Sequence, residues 1–149
     1  MANHVRRQIR EAIASAVTGL ATTGPFVFQS RVYPAQTAEM PCLLVFTTSE
    51  SIEVSTIHPS PMLQRTLQMQ IVALARATAD LDDTLDQICK EVETILANPL
   101  SILNSLARSI KFLGTEIEMQ GTAEKPIGAA TLSYEIEYFT LESAPDVAH

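Results

Sequence analysis

The sequence predicts an α+β domain, in which a largely antiparallel or mixed β-sheet carries two main α-helices on one face. Two segments have apolar residues at helical spacing, several others alternate between apolar and polar residues, and helices do not alternate regularly with strands. No internal repeat or glycine-rich hinge divides the 149 residues, of which 46% are hydrophobic and 18% charged. We therefore expect one domain over residues 1–142 and a flexible tail over residues 143–149.

The two predicted helices lie far apart in the chain. Apolar residues recur every three or four positions over residues 5–20, with Asn3 as the expected N-cap. A longer apolar stripe covers residues 81–96, follows Asp80 as its expected N-cap and ends before Pro99. Each helix is amphipathic, so each needs a sheet to cover its apolar face.

The strongest strand signal covers residues 127–141, near the carboxyl end. Every second residue from Ala130 to Tyr138 is apolar, and the residues between them are polar. Residues 109–120 are the expected hairpin partner, although their apolar parity changes near Gly114. A β-bulge at Gly114 would explain the change, because a bulge inserts one extra residue into a strand.

Three further segments complete the predicted sheet. Residues 26–33 and 63–75 have strand-like patterns, and residues 41–46 are apolar on both parities, which is typical of a strand covered on both faces. Residues 47–61 are mostly polar and form the longest predicted loop. The candidate residues for docking a partner through this loop, as a short strand or an extended arm, are Ile52, Val54, Ile57 and His58.

Charge is distributed unevenly along the chain. The net charge is −7; residues 1–77 carry six Lys or Arg against four Asp or Glu, whereas residues 78–149 carry four against thirteen. A chain of this charge has no overall attraction for phosphate backbones. No apolar run is long enough for a membrane span or a leader, which predicts a soluble intracellular protein. Cys42 and Cys89 lie in apolar patterns and are expected to be buried thiols.

No pattern in the sequence indicates catalysis. The three histidines, His4, His58 and His149, lie near the termini or in a proline-bounded loop, and no G-x-S-x-G motif occurs. The five glycines are scattered and build no phosphate-binding loop. We therefore predict no catalytic residue and no cofactor, and we do not expect an enzyme.

Acidic residues cluster where the second helix is predicted to begin. Asp80, Asp82 and Asp83 are weak candidates for binding a divalent cation, but Leu85 occupies the position that an EF-hand loop needs for glycine. Negative charge in a first helical turn is stabilised by the helix dipole, which explains these residues without a metal. A small metal-dependent enzyme stays an alternative that titration with magnesium and manganese would reveal.

Taken together, these segments resemble the tail terminator family of long-tailed bacteriophages. The similarity covers residues 5–140 and includes no catalytic motif. It is carried by the first helix with Thr22-Thr23-Gly24, by Arg31-Val32-Tyr33-Pro34, by residues 41–46, by residues 67–75 leading into Asp80-Leu81-Asp82, and most clearly by residues 130–138.

The resemblance implies a structural virion protein that forms a hexameric ring on the finished tail tube. Such a ring stops tube polymerisation and provides the head-attachment surface. The implied partners are further copies of the chain, the tail tube protein and the head completion or connector protein, while DNA passes through the lumen without specific binding. The implied location is the virion tail, after assembly in the cytoplasm of the host bacterium. A related tail-completion or head-tail joining protein is the alternative.

Ring formation requires two different, complementary surfaces on each subunit. Two charged groups are candidates for these surfaces, and we expect the first group of one subunit to meet the second group of the next. The basic group is Arg6, Arg7, Arg10 and Arg31, and the acidic stripe, on the polar parity of the last two strands, is Glu116, Glu118, Glu135 and Glu137. Like charges that lie close repel each other, so a solvated face alone does not explain the stripe.

Overall fold

A computed structural model of the chain describes residues 2–29, 40–57, 59–76, 79–121 and 126–149. Its helices are α1 (Val5–Ala16), α2 (Leu81–Leu96) and α3 (Pro99–Leu103). Its strands are β1 (Val27–Phe28), β2 (Cys42–Val54), β3 (Met62–Arg76), β4 (Ser109–Gly121), β5 (Pro126–Leu141) and β6 (Ala144–Ala148). The strands form one mixed sheet in the order β1-β2-β3-β5-β4, and β6 pairs with β5 beyond the start of β4. The predicted α+β class is confirmed.

The main core lies between one face of the sheet and the helices α1 and α2. On β5, the apolar residues from Ala130 to Tyr138 that alternate in the sequence are all buried. They face the same side as Leu67, Met69 and Ile71 of β3, with which the structure pairs Ile136, Tyr134 and Leu132. The prediction of two helices on one face of the sheet is therefore confirmed, and we call this the helix face.

The opposite face carries a second, smaller apolar cluster at one end of the sheet. It contains Cys42, Leu44, Leu74 and Ala129, with Met40 beside them. The first residues of β2 are thus buried on both faces, as their continuous apolar pattern predicts. Cys42 and Cys89 are both buried and neither forms a disulfide.

Strand β4 confirms the predicted bulge. The register between β4 and β5 shifts between Phe112 and Gly114, which returns Ile117 and Met119 to the helix face. They are nevertheless 56% and 61% exposed, because β4 lies at the edge of the sheet. The alternation therefore predicted the strand and its face correctly, while the apolar side chains stay on the surface.

The predicted loop over residues 47–61 is wrong for more than half of its length. Strand β2 continues to Val54, and β3 begins at Met62, so their hairpin is paired as far as Val54 and Leu63. Only residues 55–61 connect the two strands. The mostly polar residues 47–54 gave no strand pattern. They form a strand because their backbone groups pair with those of β3, which a single segment of sequence does not show.

Other differences concern the ends of elements. His4, and not Asn3, is the N-cap of α1, and its Nδ1 accepts a hydrogen bond from the backbone N–H of Arg6 at 3.0 Å. Asp80 occupies the N-cap position of α2, but its side chain makes no capping hydrogen bond. The predicted tail over residues 143–149 contains β6, whose Ala148 pairs with Thr140. Of the predicted strand over residues 26–33, β1 covers two residues, and residues 30–39 lie outside the described part.

Candidate interaction surfaces

A buried ionic cluster lies midway along the β2–β3 hairpin. Arg65 of β3 and Glu50 of β2 form a salt bridge of 2.6 Å between Nη1 and Oε1, and their side chains are only 8% and 6% exposed. The Nε of Arg65 donates to Thr140 Oγ1 at 2.9 Å, and the hydroxyl of Tyr138 donates to Glu50 Oε2 at 2.6 Å. Because each charge has a close partner, the cost of burying both is offset.

The same cluster holds the start of α1. Nη1 of Arg6 lies 3.5 Å from Oε1 of Glu50. Burial lowers the pKa of His4, and the positive charges of Arg6 and Arg65 lower it further. Burial also raises the pKa of Tyr138, as does its hydrogen bond to Glu50, so its hydroxyl stays protonated and donates. Arg6, a predicted subunit contact, thus forms an ion pair with Glu50 of its own chain.

Sequence reasoning missed Glu50 and Arg65. One signal was present, since Arg65 occupies an inward position of the alternating strand β3, between the buried Leu63 and Leu67. A charged residue on a core-facing parity needs a buried partner. The identity of that partner, 15 residues away across a hairpin, has no comparable signal.

The predicted docking residues lie on the outer part of the hairpin, which we call the arm (residues 50–65). Ile52, Val54 and Ile57 are 49%, 64% and 98% exposed, and Ile52 and Val54 point to the helix face, where they pair with Arg65 and Leu63. His58 lies outside the described residues. At its tip the arm contacts the turn after β5, where the hydroxyls of Ser60 and Ser143 are 2.6 Å apart.

The remaining basic residues of the first group differ in their contacts. Arg7 pairs with Glu11 one helical turn away, at 2.7 Å, and also donates to Asn3. Arg10 makes no described ion pair, and its Nε donates to Gln29 Oε1 at 3.3 Å, just after β1. Arg31 lies outside the described residues. Arg10 is therefore the arginine of α1 that forms no ion pair with a residue the structure describes.

The acidic stripe lies on the sheet face opposite the helices, but it is divided into two pairs. Glu135 and Glu137 are opposite Lys111 and Ser109 of β4, with which they line a polar groove. Farther along β4, Glu116 and Glu118 are opposite Thr131 and Ala129. The four carboxylates share a face as predicted, and Lys111 compensates part of their charge.

The weak metal candidates lie at the start of α2. Asp82 and Asp83 are exposed in its first turn, after Asp80. Within the described ranges, no group of three or more His, Cys, Asp or Glu residues is arranged to hold a metal ion.

Burial raises the pKa of the Cys89 thiol to about 11, and nearby Glu93 adds to the rise, so this thiol is protonated at neutral pH. Among the described helices, none is long and apolar enough to cross a membrane.

A groove that the sequence did not predict lies between the carboxyl end of α2 and the edge strand β4. Its volume is about 230 Å³, and it is lined by Glu93, Leu96, Ala97, Ile110, Phe112 and Tyr134. The rings of Phe112 and Tyr134 stack with their centres 5.0 Å apart. Tyr134 is only 3% exposed, and its hydroxyl has no hydrogen-bond partner among the described residues. Burial raises its pKa, and the charge of Glu93 raises it further.

Comparison with known proteins gives similarities to solved structures and to no family model or curated protein. No protein-family model matches the chain, and no curated protein is significantly similar to it. Among solved structures, the chain is similar to a chain of the virion of a native gene transfer agent particle, with 15% sequence identity and a TM-score of 0.48. The alignment covers 90% of this chain and 92% of the other.

Proposed function

We propose that the chain is a tail terminator, a structural protein that closes the end of a phage tail tube as a hexameric ring and presents a surface for the head. The observation that carries the proposal is that the two edges of its single sheet expose unlike surfaces. One edge has β1 and β2, with Arg6 of α1 beside Glu50 and Arg10 beside Gln29. The other edge has β4 with its exposed Ile117 and Met119. Unlike edges suit a head-to-tail contact, which closes a ring when the rotation between subunits permits it.

The sequence resemblance supplies the functional part of the proposal. Residues 130–138 and 41–46, which carry the resemblance, include the inward-facing residues of β5 and the buried start of β2. A role in assembly through surfaces fits this chain better than catalysis.

The arm is the proposed contact with the tube end or with a neighbouring subunit. Ile57 at its tip is 98% exposed, and Val54 is 64% exposed, although both are large apolar residues. Exposed apolar side chains on a paired hairpin are typical of surfaces that become buried in an assembly. The variant Ile57→Ser with Val54→Ser should fold normally but lose attachment to tubes.

The acidic stripe is the proposed second charged surface. Reversing both charges in Glu135→Lys with Glu137→Lys should prevent ring assembly at moderate salt, if these carboxylates meet a basic side chain of the next subunit. Rings of normal stability would refute that pairing. The net charge of −7 also suits a channel through which DNA slides without sticking.

Electron microscopy of particles made without this protein tests the proposed function. Overlong tail tubes would identify a terminator. Tubes of normal length that lack heads would identify a head-tail joining protein, which is the alternative. Normal tails already joined to heads would exclude both roles.

A further inference from the structure

The groove beside β4 combines a carboxylate with exposed aromatic surface. Glu93 makes no described ion pair, and Phe112 in the same groove is 40% exposed. The buried hydroxyl of Tyr134 has no described hydrogen-bond partner, which is uncommon for a buried polar group. A negative group, an exposed ring and an unpartnered hydroxyl together favour a long cationic side chain, whose stem packs on the ring and whose head binds the carboxylate.

The chain itself carries a suitable cation on its other edge. Arg10 makes no ion pair with a described residue, and its contact with Gln29 places it beside β1, at the opposite end of the strand order from β4. Of the three arginines of α1 it fits best, because Arg6 and Arg7 pair within their own chain. Arg108 and Lys111 lie on the same edge as the groove and would not face it in a head-to-tail contact.

We propose that the groove formed by Glu93, Phe112 and Tyr134 receives the side chain of Arg10 from a second copy of this chain. The guanidinium lies against the Phe112 ring and pairs with Glu93, so that the β1–β2 edge of one subunit meets the β4 edge of the next. The Tyr134 hydroxyl gains a partner in this contact when the exposed Phe112 ring shifts. This inference rests on the proposed ring and names the residues of its subunit contact.

The first test is a charge exchange in the full-length chain. Arg10→Glu and Glu93→Arg should each weaken self-association at least about tenfold, because each leaves one charge of the pair without its partner. The double variant should recover most of the loss, since the pair is restored with its signs exchanged. Asp86→Arg is the matched control, because Asp86 is an exposed acid on the same helix and does not line the groove. Sedimentation velocity over a concentration series measures association, and thermal melting confirms folding.

Tyr134→Phe separates assembly from folding. Removing a hydroxyl that has no described intramolecular partner should leave the melting temperature unchanged or raise it. If the hydroxyl is used between subunits, self-association should weaken by about two- to tenfold. Unchanged association would remove Tyr134 from the contact and leave the pair of Arg10 and Glu93 to the charge exchange.

Cross-linking in assembled particles covers the case in which the chain forms rings only on tubes. The variant Arg10→Cys with Glu93→Cys should give a ladder of linked multimers with a bis-maleimide cross-linker that spans the length of the two lost side chains, which is too long for a direct disulfide. Each single variant should give none beyond dimers. Normal association of Glu93→Arg, together with no ladder, would overturn the inference. Intact rings of Glu93→Arg that no longer bind tubes would assign the groove to the tube protein instead. Either result leaves the terminator function standing, since that function fails only if tails made without the protein are of normal length.

Discussion

Strands β3 and β4 both pair with β5, and both place apolar residues on the helix face, but these residues meet different surroundings. Ile71 of β3 is completely buried, whereas Ile117 of β4 is 56% exposed. β3 lies between β2 and β5 and packs against α2, while β4 is the edge strand. Alternation thus identifies a strand and its inward face, and the position in the sheet decides whether that face becomes core or contact surface.

The largest expected loss of stability follows from replacing Arg65, the buried charged residue of β3. Arg65→Met leaves Glu50 buried without its closest cation, which should lower the free energy of unfolding by about 3–5 kcal/mol. Urea denaturation followed by circular dichroism measures the loss. Adding Glu50→Gln should recover part of it, because the uncompensated charge is gone. A single variant as stable as the parent chain would contradict the structural role of the pair.

A matched pair of isoleucines tests the comparison directly. Ile71→Ala in β3 should cost about 2–5 kcal/mol, since it opens a cavity in the core. Ile117→Ala in β4 should cost less than about 0.5 kcal/mol, because its side chain is already more than half exposed. The same denaturation series measures both. Similar losses at the two positions would mean that β4 is covered in the isolated chain.

Gly128 of β5, which is paired with Ala75 of β3 and Met119 of β4, tests how closely α2 covers the sheet. A Cβ at this position would lie 2.6 Å from Cδ2 of Leu81, the first residue of α2. Gly128→Ala should therefore lower stability by about 1 kcal/mol, since the leucine side chain must move. Adding Leu81→Ala should remove the clash, so that the glycine substitution costs nothing in that background.

The smallest expected effect concerns pH at the start of α1. The pKa of His4 is lowered in the folded chain, mainly by burial and then by the charges of Arg6 and Arg65, so protonation favours the unfolded chain. Its contribution to stability should be complete above its ordinary pKa of 6.5 and should decrease as the pH falls below that value. Thermal melting between pH 8 and pH 5 measures the decrease. His4→Asn, which keeps a capping side chain, should show a smaller decrease.

Much of the fold could be predicted because it depends on local periodicity. The bounds of α2, the inward residues of β5 and the bulge near Gly114 all follow from the spacing of apolar residues. The length of β2 could not be predicted, because residues 47–54 are mostly polar and are held in a strand by the backbone of β3. The strand β6 was missed for the same reason, since a short segment pairs with an existing strand edge without an apolar pattern of its own.

The interaction surfaces were predictable only in part. The exposed arm residues and the shared face of the four glutamates follow from parity along single strands. The groove between α2 and β4 depends on how a helix end and an edge strand pack together. Glu93 and Tyr134 are 41 residues apart, and no sequence pattern indicates that they line the same groove. The ion pair of Arg6 and Glu50 likewise could not be predicted, because it depends on the extended hairpin that places Glu50 beside α1.

The polar contacts of Arg65 join three strands, since Glu50 belongs to β2 and Thr140 to β5, and Arg6 connects the same group to α1. The arm therefore cannot bend where it joins the rest of the hairpin without separating a buried pair of opposite charges. The arm should move as a rigid body with α1. A displacement of Ile57 by a binding partner should therefore also displace the first helix.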